Sequence, residues 1–188
     1  RGWGRCQTKL TVLLTPITYN PPLPTAQQTN EQPADWQANP LQRQTVTFNM
    51  MGNRFLLDSP CSIQIQVSRK ASAEEIAAYQ ADILAACEHG VVPVSPCISP
   101  GERQIARAVL EAAFPLIVLM PRGIPADMKQ KVGYTEYYEA CAAGRLLMLS
   151  PWGYQEKEQE LQRWQCLFLN DLALQLTLDN NFLSEDTE

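Results

Sequence analysis

Short apolar runs alternate with helical patterns along most of this chain. Four runs are typical of strands, at residues 63–67, 91–94, 116–120 and 146–149. Helical patterns follow them at residues 72–90, 101–114, 125–143 and 156–178. The run at 116–120 is almost entirely apolar, as in a strand that is covered on both faces of its sheet. The alternation predicts an α/β fold: an open, mainly parallel sheet with right-handed crossovers and helices on both faces.

The character of the sequence changes near residue 45. Residues 20–44 are rich in Pro, Gln, Asn and Thr, and such a composition buries too little apolar surface to offset the entropy lost on ordering. We therefore expect an extension and polar linker at 1–45, ordered or disordered, a folded domain at 46–180 and an acidic tail at 181–188. Within the first part, residues 10–14 could add an edge strand or be disordered.

Composition and charge limit the class of protein. The 188 residues are 45% hydrophobic and 19% charged, which is typical of one soluble globular domain. The net charge of −5 argues against a protein held to nucleic acid by its overall field, although a local basic patch could still bind phosphate. No apolar run approaches the roughly 20 residues that span a bilayer, so we expect no membrane segment.

The cysteines and the single histidine indicate no metal or catalytic chemistry. The six cysteines are scattered without a C-x-x-C pair, so we interpret them as free thiols of a cytoplasmic protein. His89 precedes Gly90 at a predicted helix end, where an imidazole interacts favourably with the helix dipole. We therefore expect a structural His89, no metal, no cofactor and no catalytic residue. The carboxylate clusters look exposed, whereas a catalytic pair needs a pKa shifted by burial.

Polar, basic or glycine residues follow each predicted strand. In an open α/β sheet such loops converge at the carboxyl ends of the strands, where ligands bind. Gly101 and Arg103 open a predicted helix whose unpaired N–H groups favour an anion, although the carboxylate of Glu102 already satisfies that positive end. Arginines could add bidentate phosphate contacts, and the alternative is that each is an ordinary solvated loop charge. The candidate ligand-binding residues, for a nucleotide or phosphate, are Ser68, Arg69, Lys70, Ser95, Gly101, Arg103, Arg122, Gly123 and Ser150.

Five short motifs follow one another in a distinctive order and spacing. They are Gly52-Asn53-x-x-Leu56-Leu57, Ser68-Arg69, and the segments 88–95, 117–124 and 144–151. Together they resemble the DNA-processing protein A (DprA/Smf) family over about residues 51–178. The resemblance implies a Rossmann-like domain of a bacterial protein that binds single-stranded DNA and helps to load recombinase, with a second copy or a recombination protein as partner.

The resemblance also assigns positions. Ser68 and Arg69 match the Ser-Arg after the first strand of the family, and Ser95 matches the serine of its Ser-Gly loop. Gly101 falls near the glycine that opens the next helix, Gly123 matches the glycine after the third strand, and Asn170 matches the asparagine of a late Arg-Asn pair.

Two departures from the family pattern weaken expected phosphate contacts. Pro96 replaces the glycine of the Ser-Gly loop, which removes a permissive residue and a backbone N–H. Leu169 replaces the arginine of the late pair.

Three functional hypotheses follow. The preferred one is a non-enzymatic binding protein that holds single-stranded DNA or a nucleotide at the carboxyl ends of the strands, in DNA processing or recombination. The alternatives are a phosphoribohydrolase-like, nucleotide-processing enzyme, and a degenerate paralogue that works only through protein contacts, with its final helix as the interface. Trp152 and Tyr154 could stack on a base, although packing against the final helix is the preferred interpretation.

Overall fold

The computed structural model describes residues 6–12, 44–156 and 160–178. Most of the proposed linker and the acidic tail thus lie outside the described residues. The strands are β1 (Cys6–Val12), β2 (Gln44–Gly52), β3 (Ser62–Gln64), β4 (Val92–Ser95), β5 (Leu116–Leu119) and β6 (Leu146–Ser150). The α-helices are α1 (Ala73–Glu88), α2 (Pro100–Glu111), α3 (Thr135–Ala142) and α4 (Arg163–Leu178), and a 3-10 helix occupies Arg54–Asp58.

The six strands form one sheet in the order β1-β2-β6-β5-β4-β3. Strands β3 to β6 are parallel, and their order in space is their order in the chain. Strand β2 pairs antiparallel with β6, and β1 pairs antiparallel with β2 at the edge. The predicted α/β fold with a mainly parallel sheet is confirmed, and two antiparallel strands extend it on the β6 side.

Helices cover both faces of the sheet, as the sequence predicts. Alternate residues of each strand point to opposite faces, so Leu146 and Met148 of β6 join one core while Leu147 and Leu149 join the other. Helices α1, α2 and α3 pack on the first core, and α4 packs on the second. The chain therefore changes face between α3 and α4, at the carboxyl end of β6.

The first two helices begin where local sequence signals place them. The hydroxyl of Ser72 accepts a hydrogen bond from the N–H of Glu75, whose side chain accepts one from the N–H of Ser72. Ser99 and Glu102 form the same reciprocal capping box at the start of α2. Each box satisfies N–H groups that the first turn of a helix leaves unpaired, and it fixes where the helix starts.

The last two helices begin later in the chain than the sequence predicts. Residues 121–134 form turns, so the predicted start of α3 at Pro125 is wrong; Ile124 and Met128 are buried in the core instead of forming a helical stripe. The predicted start of the final helix at Glu156 is also wrong, because α4 begins at Arg163.

The amino-terminal part contributes one edge strand. Of the two alternatives for residues 10–14, Leu10 belongs to β1, opposite Val46 of β2. Within the described residues, no helix is both long and apolar enough to cross a membrane.

Candidate nucleic-acid interface

The four parallel strands end at the same edge of the sheet, which we call the carboxyl edge. The loops after β3, β4, β5 and β6 all start there, because the strands pair in parallel and in register. After β5 the chain passes to the face of α1 to α3, whereas after β6 it passes to the face of α4. Such a reversal between neighbouring strands is where open α/β sheets form ligand crevices.

The loop after β3 presents its polar residues to solvent. Ser68, Arg69 and Lys70 are all exposed, and the hydroxyl of Ser68 accepts a hydrogen bond from the N–H of Lys70 at 3.2 Å. The Nη2 atom of Arg69 lies 3.5 Å from Sγ of Cys166 in α4. This contact directs the guanidinium toward the start of α4.

The carboxylate of Glu102 occupies the amino end of α2. It is 2% exposed, and its two oxygens accept hydrogen bonds from three backbone N–H groups: Val67 at 3.2 Å, Ile98 at 2.7 Å and Ser99 at 3.0 Å. Since a helix amino end attracts anions, the protein places its own anion where a ligand phosphate would otherwise fit. One side chain thereby joins the loop after β3 to the loop after β4.

Two predicted site residues near Glu102 are buried. The Ser95 hydroxyl is fully buried and accepts a hydrogen bond from the N–H of Cys97 at 3.2 Å. Gly101 packs so closely that a Cβ atom there would lie 2.7 Å from Cγ1 of Val67. The backbone of Cys97 adopts a φ of 52°, a left-handed conformation that costs energy for a residue with a Cβ. The sequence around Pro96 thus forms a tight, internally bonded loop.

Arg103 is exposed but engaged with the same loop. Its Nη1 atom donates to the carbonyl oxygens of Ile98 at 2.9 Å and Cys97 at 3.3 Å. The loop after β4 therefore donates N–H groups to Glu102 and offers carbonyl oxygens to Arg103.

The loops after β5 and β6 lie directly against each other. Gln155 donates its N–H to the carbonyl oxygen of Arg122 at 2.9 Å. Gly123 has a φ of 81°, and a Cβ atom there would overlap the backbone N and Cα of Tyr154. The buried hydroxyl of Ser150 donates to the carbonyl oxygen of Met120 at 2.9 Å, which ties the ends of both strands together.

The predicted site residues therefore all lie at the carboxyl edge, but they differ in solvent exposure. Ser68, Arg69, Lys70 and Arg103 are exposed and Arg122 is half-buried, while Ser95, Gly101, Gly123 and Ser150 are buried.

Sequence reasoning missed two residues close to Tyr154, namely Lys131 and Tyr134. The ammonium of Lys131 lies 4.4 Å from the ring centroid of Tyr154. Burial raises the pKa of Tyr134, the phenol of Tyr154 raises it further, and Lys131 and Arg122 lower it. Tyr134 is therefore within electrostatic range of Tyr154, Lys131 and Arg122. The only signal in the sequence was Tyr154 after a strand, because the positions of Lys131 and Tyr134 depend on the turns at 121–134.

The late positions of the family pattern lie in α4, one in the core and one half-buried beside β3. Leu169 is fully buried, and the carbonyl oxygen of Asn170 accepts a hydrogen bond from Nε2 of Gln64 at 3.0 Å. Trp152 is also buried, with its ring in contact with those of Trp164 and Phe168. The preferred interpretation of Trp152, packing against the final helix, is confirmed.

The surroundings of three cysteine thiols and of His89 are those of structural residues. Burial raises the pKa of Cys87 and Cys97 to about 11 and that of Cys141 to about 12, so none of the three is a thiolate at neutral pH. The Nδ1 atom of His89 lies 2.8 Å from the carbonyl oxygen of Ala85 at the end of α1. Five cysteines are free: Cys61, Cys87, Cys97, Cys141 and Cys166.

Two solved structures share this fold. DNA processing protein A (DprA) from Streptococcus pneumoniae aligns with 69% of this chain at a TM-score of 0.50 and 21% identity. DprA from Helicobacter pylori aligns with 79% of the chain at a TM-score of 0.51 and 19% identity. The Rossmann-like fold that the sequence resemblance implies is thus confirmed, in a divergent form.

The likeness is confined to part of those proteins. The chain spans 43% of the S. pneumoniae protein and 64% of the H. pylori protein. No protein-family model matches the chain. No curated protein matches it by sequence either.

Proposed function

We propose that the carboxyl edge binds the phosphates of single-stranded DNA or of a nucleotide, without catalysing a reaction on them. The observation that carries the proposal is the parallel pairing of β3 to β6, which brings the loops of Arg69 and Arg122 and the start of α2, with Arg103, to one edge. A guanidinium matches the geometry of a phosphate and stays charged at every physiological pH. In a chain of net charge −5, such binding is local and salt-sensitive.

The fold supports a DNA ligand over other anions. The H. pylori DprA that shares this fold binds single-stranded DNA. Ser68 and Arg69, which match the Ser-Arg of that family, are exposed at the carboxyl edge. We therefore infer a role in DNA processing or recombination in a bacterial cytoplasm, with a second copy or a recombination protein as partner.

The alternative of a phosphoribohydrolase-like enzyme needs a carboxylate that can reach a substrate. Glu102 is the carboxylate nearest the predicted phosphate loop, and both of its oxygens are bonded to backbone N–H groups in the interior. This arrangement favours a structural role for Glu102 and therefore a binding protein over an enzyme.

The other alternative, a protein that works only through contacts of its final helix, needs that helix to be available to a partner. Helix α4 buries Leu169, Leu172 and Leu176 against the sheet, which favours a core helix over a dedicated interface.

The test is a polarisation titration of labelled oligo-dT and of free nucleotides at low and high salt. We expect Arg69→Gln and Arg122→Gln each to weaken oligonucleotide binding about tenfold or more, the worth of a charge-assisted hydrogen bond. Each should also reduce the slope of log K against log salt by about 0.7, the value for one phosphate contact on a single strand.

The matched control is Arg54→Gln. Arg54 is exposed and follows β2, next to Asn53, whose N–H bonds to the carbonyl of Leu146 at the amino end of β6. It therefore lies at the opposite edge of the sheet, and its loss should leave binding unchanged. Absence of binding to both ligands would refute the function, and equal effects of all three variants would refute its location.

A further inference from the structure

The side chain of Tyr154 has surroundings that differ from those of its neighbour Trp152. The Trp152 ring is buried among aromatic rings of α4, whereas Tyr154 is half-exposed at the carboxyl edge. Its backbone is fixed against Gly123, and the next residue is hydrogen-bonded to Arg122. A ring on such an anchored segment keeps its position without a ligand, which lowers the entropic cost of stacking.

One face of this ring is covered by a lysine from another loop. The ammonium of Lys131 lies 4.4 Å from the ring centroid, within cation–π distance. The hydrogen bond to Tyr154 raises the pKa of Lys131, and the carboxylates of Asp127 and Glu156 raise it further. The lysine is therefore charged, and because the four-carbon stem of a lysine is flexible, its ammonium can move away from the ring.

A nucleotide can give both the Tyr154 ring and the Lys131 ammonium a new partner. A nucleobase can stack on the tyrosine face, and its phosphate can accept a hydrogen bond from the displaced ammonium. The backbone of Arg122 is hydrogen-bonded to Gln155, the residue after Tyr154, so the proposed arginine anchor belongs to the segment next to the ring.

We propose that Tyr154 is a stacking platform for one nucleobase, and that Lys131 covers its ring until a base displaces it and then contacts the adjoining phosphate. The proposal rests on the binding function proposed above and adds a base subsite to it. Stacking is tolerant of sequence, because every base has a π face, so the subsite favours single strands over duplexes without selecting a sequence.

The experiment compares oligo-dT with an abasic strand of the same length and phosphate number. Tyr154→Leu should weaken binding of oligo-dT about 5- to 150-fold, the range for one stacked base, and leave the abasic strand unaffected. Tyr154→Phe keeps the ring and should bind oligo-dT like the wild type. Lys131→Met should weaken binding of both strands and reduce the salt slope by about 0.7.

A second lysine–tyrosine pair provides the matched control. The ammonium of Lys129 lies 5.9 Å from the ring centroid of Tyr138, a half-buried residue of α3 that packs against the core. Tyr138→Leu should leave the affinity for both strands unchanged. A further measurement needs no variant. The fluorescence of an oligonucleotide that carries 2-aminopurine should fall when it binds the wild type, because stacking quenches that base.

The outcomes separate this proposal from the function on which it rests. If the wild type binds neither strand, the binding function itself is refuted. If it binds oligo-dT but Tyr154→Leu binds equally well, or loses both strands equally, or if 2-aminopurine is not quenched, then the base subsite alone is refuted.

Discussion

Removal of the Glu102 carboxylate should destabilise the fold more than the loss of any exposed acid. The side chain is 2% exposed and accepts three backbone hydrogen bonds, two of them from the loop after β4 and one from the loop after β3. In Glu102→Ala these three N–H groups stay buried and lose their acceptor. The capping box with Ser99 is lost at the same time.

The expected cost follows from the number of donors left unpaired. A buried polar group without a partner costs roughly 1–3 kcal/mol, so three of them set a range of roughly 3–9 kcal/mol. Loops shift and water enters, so we expect the lower part of that range, roughly 3–5 kcal/mol. In a chain of this length that corresponds to a fall in Tm of roughly 6–20 °C. Glu102→Gln keeps one acceptor oxygen and should cost less, roughly 1–3 kcal/mol.

Thermal and urea unfolding of the two variants, followed by circular dichroism, measure these costs. Glu111→Ala is the control, because Glu111 is exposed at the end of the same helix and its loss should change stability by less than roughly 0.5 kcal/mol. If Glu102→Ala and Glu111→Ala unfold at the same temperature, the carboxylate does not hold the two loops together and our reasoning about the amino end of α2 is wrong.

Three further predictions concern backbone space, pH and thiol reactivity. Gly123→Ala should lower Tm more than Gly144→Ala, since both glycines have positive φ but only at Gly123 would a Cβ meet other atoms, those of Tyr154; equal melting temperatures would contradict the close approach. Burial raises the pKa of Asp171, so its contribution to stability is present below its ordinary value of 3.8 and is lost as pH rises through the raised value. Asp171→Asn should therefore melt above the wild type at neutral pH, with the gap closing in acid, and a gap independent of pH would argue against desolvation. Alkylation followed by mass spectrometry should label exposed Cys61 in the folded protein but Cys87, Cys97 and Cys141 only after unfolding; early labelling of these three would show that their burial is wrong.

Much of the fold could be predicted because its strands and first helices carry strong local signals. The apolar run at β5 and the capping sequences at Ser72 and Ser99 specify their elements without help from distant residues. The start of α3 could not be predicted in this way. Met128 is buried by tertiary packing of a turn, and in the sequence a buried turn residue is indistinguishable from one position of an apolar helix stripe.

The candidate site was predictable only to the level of which loops meet. Chain order shows that Ser95 and Ser150 end strands, but not that their hydroxyls turn inward to bond the neighbouring backbone. The Lys131–Tyr154 contact joins two loops whose path depends on turns, and no periodic pattern encodes such a meeting. Glu102 was recognisable as a helix-start carboxylate, whereas its bond to Val67 depends on the neighbouring strand.

The matching order of β3 to β6 in space and in the chain has a kinetic consequence. Each of the strands β4, β5 and β6 pairs with the strand that precedes it in the chain, so this part of the sheet can form through contacts between segments close in sequence. Strand β2 is the exception, because it pairs with β6, and Asn49 there bonds to Trp152 across a sequence separation of 103 residues. Closing so long a loop costs the most entropy, and we expect β2 to dock late in folding and to exchange its amide hydrogens sooner than β5.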